Sequence, residues 1–121
     1  MADLVTIDFN FHYNTTNVDE KYSFGPKSFA VSAEVFVAGV QEIGTTPEAI
    51  VMGEVSVPGW SYWENLDSTN FVEINPGTGD DDLVRMNAGE PALFRFAADA
   101  TAPFGTADTL ACKVRYFIAQ N

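Results

Sequence analysis

From Leu4 to Tyr13 the chain alternates almost without fault, with Val5, Ile7, Phe9, Phe11 and Tyr13 on one side and Thr6, Asp8, Asn10 and His12 on the other. A period of two places successive side chains on opposite faces, so this run predicts a half-buried strand. Asn14 to Lys27 is crowded with turn formers, including Asn14-Thr15-Thr16-Asn17 and Gly25-Pro26, and reads as a connection. Alternation resumes over Ser28 to Val40 through Phe29, Val31, Ala33, Val35 and Val37. Phe36 interrupts the polar side of that run, which implies cover on both faces near its end.

Gln41 to Glu54 carries mixed signals. Thr46-Pro47-Glu48 resembles a helix start, whereas Ile50-Val51-Met52 suits a strand. A helix confined between Gly44 and Gly53 would be under three turns and weak by itself, so the stretch is expected to be strand, turn, strand. Gly59 to Ile74 then reads as strand, tight turn and returning strand, with both tryptophans on its first arm. Trp60, Tyr62 and Leu66 share one face with Glu64, and Trp63 lies opposite with Ser61 and Asn65. Trp60 and Tyr62 are assigned to the core; Trp63, among small polar neighbours, is the candidate for an exposed or interfacial ring. Asp67 is placed to accept a backbone N–H two residues on, and Asn70 to take a left-handed conformation that closes the turn.

Asn75 to Asp82 is a loop marked by Pro76, Gly77, Gly79 and three consecutive aspartates. Leu83 to Met86 is a short strand, Gly89 a natural positive-φ turn residue, and Ala92 to Phe96 a return strand. Ala97 to Thr109 reads as a long loop with Phe104 as an anchoring ring. Leu110 to Ala119 closes the pattern, with Cys112, Val114, Tyr116 and Ile118 on one face and Lys113, Arg115 and Phe117 on the other. About eight short strands with turns between them and no convincing helix predict a single all-β domain over 1–121, an antiparallel β-sandwich. Eight strands in two sheets is the size of a jelly roll, with up-and-down and immunoglobulin-like orders left open.

Composition narrows the partners. The 121 residues are 46% hydrophobic, with ten Phe, two Trp and four Tyr, so order is expected along most of the chain. Seventeen acidic against six basic side chains give a net charge of −11, which leaves no basic stripe for nucleic acid or an anionic membrane. A partner surface is expected to be basic or apolar. No basic, apolar leader opens the chain and no apolar run approaches about 18 residues, so synthesis in the cytoplasm is expected and no membrane span. The sequon at Asn14-Thr15-Thr16 accordingly counts for little.

Candidate chemistry is thin. His12, on the polar side of the first strand, is read as solvated, and Cys112 as a small buried hydrophobe. One histidine and one cysteine supply no nucleophile, base and orienting group together, so no catalytic residue is assigned. Asp80, Asp81 and Asp82 lack the alternate spacing of a calcium loop and are read as a solvated acidic loop; no metal or cofactor is expected. The rings of Trp60, Tyr62 and Trp63 could alternatively serve a carbohydrate-binding face.

Three pieces in order carry a resemblance. Asn65-Leu66-Asp67-Ser68-Thr69-Asn70-Phe71-Val72-Glu73-Ile74 resembles a hairpin of small tailed-bacteriophage virion proteins, Asn87 to Phe96 resembles their following turn and strand, and Val114 to Ile118 their closing strand. Ala88 stands where that group has proline, and residues before about Gly39 are not matched. The resemblance implies a non-enzymatic capsid decoration or cement protein on the virion surface, partnered by the major capsid protein and assembled as a homotrimer. A tail or fibre position is the alternative within that group. Trp63, Phe117 and Phe104 are then the candidates for subunit or capsid contact.

Overall fold

The computed structural model describes residues 4–31, 34–97 and 100–121. Its contacts divide the chain into two compact units, Met1–Ala33 and Glu34–Asn121, where a single one was expected. Ser32 and Ala33 of the expected second strand, and Ala98 and Asp99 of the expected long loop, lie outside the described residues.

The first unit is one antiparallel hairpin of β1 (Leu4–Asn14) and β2 (Asp19–Ala30). The strand expected from Leu4 is present, but much of the supposed connection over 14–27 is strand as well. Its aromatic residues explain this, because Phe9 lies opposite Phe24 and Phe11 opposite Tyr22, and such cross-strand pairs stabilise a ladder. Gly25-Pro26 is a bulge within β2, not a turn: the register shifts there, so Tyr22, Phe24 and Lys27 all keep to the side of Phe9. Gly25 takes φ +128°, and a Cβ at that position would lie 2.8 Å from the Asp8 Cα, so a side chain is excluded.

Among its described residues the second unit holds eight strands: β3 (Phe36–Ile43), β4 (Glu48–Ala49), β5 (Pro58–Asn65), β6 (Val72–Asn75), β7 (Val84–Met86), β8 (Pro91–Arg95), β9 (Phe104–Ala107) and β10 (Cys112–Gln120). They form two antiparallel four-stranded sheets, in the orders β3-β10-β5-β8 and β4-β9-β6-β7. The chain crosses from one sheet to the other at nearly every connection. Among the described residues there is no helix, as the sequence pattern implied. The core is built from both inner faces: Ile43, Trp63, Cys112, Val114, Tyr116 and Ile118 from the first sheet, and Val72, Ile74, Met86 and Ala107 from the second. The expected alternation of β10 is borne out, with its apolar face buried and Lys113, Arg115 and Phe117 exposed.

Several expected elements take a different form. Ile50 to Met52 is not a strand; Ile50 is buried and its N–H donates to the Pro103 carbonyl beyond the two-residue β4. The long loop after Ala97 contains β9. The expected hairpin at Gly59 to Ile74 is a corner between sheets, since β5 pairs with β10 and β8 whereas β6 pairs with β7 and β9.

Side chains hold that corner. Buried Asn65 donates through Nδ2 to the carbonyls of Asn70 (2.9 Å), Met86 (3.1 Å) and Asn87 (3.2 Å), and its Oδ1 accepts the Asp67 N–H at 2.9 Å. Asp67 accepts the N–H of Thr69 at 2.9 Å, as its position implied, and that of Asn70 at 2.6 Å. Asn70 does not take the left-handed conformation, because these two bonds complete the turn without it; Gly89 does, at φ +77°.

The amides of Asn70 and then Thr69 hold the Asp67 carboxyl below its ordinary value. A folded-state pKa lower than the unfolded one adds stability that is complete above the ordinary carboxylate value near ~4. That stability is lost as pH falls through the depressed value. Asp67→Asn, a mimic of the protonated side chain, is therefore expected to be less stable than the parent at neutral pH, with the difference closing in acid. Denaturant melts of both proteins at neutral pH and below pH ~3 check this, and an equal gap at both would refute it.

Candidate functional site

Two stacked sheets have two outer faces, and here they differ in chemistry. On the β4-β9-β6-β7 sheet, Glu73 of β6 lies opposite Arg85 of β7 and accepts from its guanidinium at 3.3 Å, while Arg85 covers the Phe71 ring at 3.8 Å. That is an ordinary solvated strand face. The outer face of β3-β10-β5-β8 is apolar through its middle. Ala38, Phe117, Tyr62 and Leu93 stand abreast across all four strands, with Val40 and Phe36 beside them on β3.

These side chains are exposed to a degree that matters: Phe36 by 59%, Val40 by 54%, Leu93 by 49%, and Tyr62 and Phe117 by 38% each. Phe36 stacks on Phe117 with ring centres 5.3 Å apart. Ala38, Val40, Tyr62, Arg115 and Phe117 line an open groove of about 370 Å³. Single exposed apolar residues are normal on a protein surface, but contiguous patches mark contact sites.

Charge is arranged around the patch. Register places Arg95, Lys113 and Arg115 on this face, three of the four basic residues of the second unit, with Glu42 and Glu64. Arg115 lies 3.8 Å from Glu64, which also accepts the Tyr62 hydroxyl at 3.0 Å. That bond to a carboxylate, together with desolvation, raises the Tyr62 phenol above its ordinary value, so it stays a neutral donor at physiological pH. Local charge is thus nearly balanced on one face of a strongly acidic protein. Close approach by another surface meets the least repulsion there.

The three residues expected at an interface are not brought together. Phe117 lies at the centre of the apolar face. Phe104 is half-buried on β9, its neighbours Gly105 and Ala107 facing the core. Trp63 is a correction: it is fully buried, between Phe94 (6.2 Å) and Tyr116 (5.5 Å), with Phe96 edge-on at 6.4 Å. The face expected to be core is accordingly the outer one, with Tyr62 and Leu66 exposed and Trp60 half-buried. The inversion has a physical cause. Ser61 and Asn65 look like solvent-facing residues, but the Trp63 Nε1–H donates to the Ser61 Oγ at 2.8 Å, the Ser61 hydroxyl donates to the Phe94 carbonyl at 3.0 Å, and Asn65 secures the corner. Their polarity is satisfied inside. The sequence signal for the true outer face was the apolar bulk of Phe36 and Val40 on one side of β3, in addition to Val37 and Ile43 on the other.

The remaining candidates fall where simple packing puts them. Cys112 is buried with its thiol pKa raised, chiefly by burial and then by the charges of Asp67 and Asp108, which makes it a poor nucleophile. His12 is exposed, with Nε2 2.5 Å from Asp19 Oδ1. Asp80, Asp81 and Asp82 are exposed, Asp82 accepting from Asn75 at 3.2 Å. Among the described residues no group of three His, Cys, Asp or Glu side chains is placed to hold a metal ion. Comparison with protein families, with curated proteins and with solved structures finds no match for this chain.

Proposed function

We propose that this chain is a non-enzymatic structural protein of a bacteriophage virion, a decoration protein that binds the outer surface of the major capsid lattice and stabilises the head. The observation that carries the reading is the apolar, charge-balanced outer face of β3-β10-β5-β8. The strand orders, with the chain alternating between sheets, suit the jelly-roll form that the resemblance implies. A sandwich of this kind presents a preformed surface that need not order itself on docking.

The size of the patch favours several copies acting together. Phe36, Val40, Tyr62, Leu93 and Phe117 are each exposed by 38% or more, and covering each supplies about 1 kcal/mol. The gross sum, about 5 kcal/mol, falls short of the ~8 kcal/mol of a micromolar complex even before the cost of association. A homotrimer seated on equivalent shell sites would convert weak contacts into a lasting one.

Replacing Tyr62 and Phe117 together by Asp tests this, since neither side chain lies in the core. Particles stripped of the protein and re-decorated are expected to take up the variant at least tenfold more weakly, corresponding to about 1.4 kcal/mol or more. Their heat-rupture temperature should stay near that of bare shells. Unchanged uptake, or a rupture temperature indifferent to the parent protein, would overturn the reading. The exposed rings of Tyr62 and Phe117 on an open sheet face also fit a carbohydrate-binding module. A glycan array with the parent and the same double variant separates the two, since the module reading requires a signal that the variant loses.

A further inference from the structure

The hairpin of β1 and β2 has two unlike faces. One carries Thr6 and Ser28, hydrogen-bonded at 2.9 Å, with Asn10 and Ser23 abreast and His12 beside Lys21. The other is a ladder of rings in which Phe9 meets Phe24 edge-on at 4.4 Å and Phe11 lies 6.3 Å from Tyr22, with Tyr13 beyond. Those five rings are exposed by 37% to 58%. At 150–250 Å² per ring they offer on the order of 450 Å² of apolar surface, over half of the ~800 Å² that each partner contributes to a standard interface. A two-stranded hairpin is also marginal in water without something against its apolar face.

The charges on the ring face indicate what covers it. Lys27 sits at one end of these five rings, its ammonium 5.1 Å from the centre of the Phe24 ring, with Val5 and Phe29 beyond it on the same face. Glu20 sits at the other, opposite Tyr13 and 3.5 Å from the Tyr22 hydroxyl. Turning a second copy of this face over by a two-fold rotation sets its Phe9 and Phe24 on the first copy's Phe11 and Tyr22, and brings Lys27 of each copy to Glu20 of the other. The pattern is self-complementary, as an isologous contact requires. Net repulsion is small as well, since residues 1–33 hold four acidic and two basic side chains against thirteen and four in 34–121.

We propose that the ring face of the hairpin is a self-association surface, covered by the same face of a second copy of this chain in antiparallel register. The pairing requires nothing of the capsid. It is of a different symmetry from a three-fold ring, so it would couple two chains, or join one ring to the next.

Sedimentation of the full chain at about 50 µM is expected to show dimer or an even-numbered assembly. Phe11→Asp should weaken association at least tenfold. Lys27→Glu should weaken it severalfold by setting two acidic groups together, and Lys27→Glu combined with Glu20→Lys should restore it. Both tryptophans belong to the second unit, so an unchanged fluorescence spectrum confirms that the sandwich of each variant is folded. Parent chain that stays monomeric at this concentration overturns the proposal. So does association indifferent to Phe11→Asp, or a double charge exchange that fails to restore it.

Discussion

Trp63→Ala is expected to cost about 3–5 kcal/mol of stability and to lower the midpoint of thermal unfolding by on the order of 15 °C. The indole is fully buried and is stacked or edged by Phe94, Phe96 and Tyr116, rings donated by β8, the segment after it and β10. Removing it leaves a cavity bounded by three large rings, Phe94 and Tyr116 on paired strands and Phe96 tied by its N–H to the Gly59 carbonyl, so collapse is restricted. It also removes the N–H that the Ser61 hydroxyl accepts, leaving that hydroxyl only its bond to the Phe94 carbonyl. Trp63→Phe keeps much of the packing and loses that bond, so its cost should be less than half as large. Calorimetry of the three proteins measures both effects. A loss below about 1.5 kcal/mol for Trp63→Ala would mean that the ring is not the centre of the core.

Asn65→Ala should come close to the same cost, about 3 kcal/mol, for a different reason. Little volume is lost. What is lost is a fully buried amide that donates to three carbonyls and accepts one N–H where β5 leaves the first sheet and the chain turns towards β6 in the second. The Asn87 carbonyl keeps the Glu90 N–H, but the other abandoned groups lose this partner or must recruit water. Asn65→Asp should be no milder at neutral pH, because a carboxylate facing three carbonyl oxygens has nothing to donate. Equilibrium denaturation resolves these differences, and an alanine variant within about 0.5 kcal/mol of the parent would show that water replaces the amide freely.

These two residues mark where the sequence was legible and where it was not. Period-two alternation correctly grouped Trp63 with Ser61 and Asn65, and Trp60 with Tyr62, because side-chain direction along a strand is set by local geometry. It could not tell which group faced inwards. That choice depends on neighbouring strands, and a serine or asparagine whose polar atoms are satisfied by a particular indole or carbonyl is as well buried as a valine. β10 was read correctly on both faces because its inner set is uniformly apolar. β2 was hidden by Gly25-Pro26, a dipeptide that signals a turn locally but is absorbed as a bulge once Phe9 and Phe24 pair. The apolar outer face was only faintly visible, since its row of Ala38, Phe117, Tyr62 and Leu93 is drawn from four strands far apart in the chain.

The position of β10 bears on how the protein comes into being. Residues 112–120 fill the slot between β3 and β5, so until they leave the ribosome the first sheet exists only as separated halves. The two strands waiting for them have open edges, the form most prone to pair with another nascent chain. The sandwich can therefore close only near the end of translation of these residues. Its vulnerable period in the cell is set by the elongation rate over the preceding seventy or so codons, from β3 onwards.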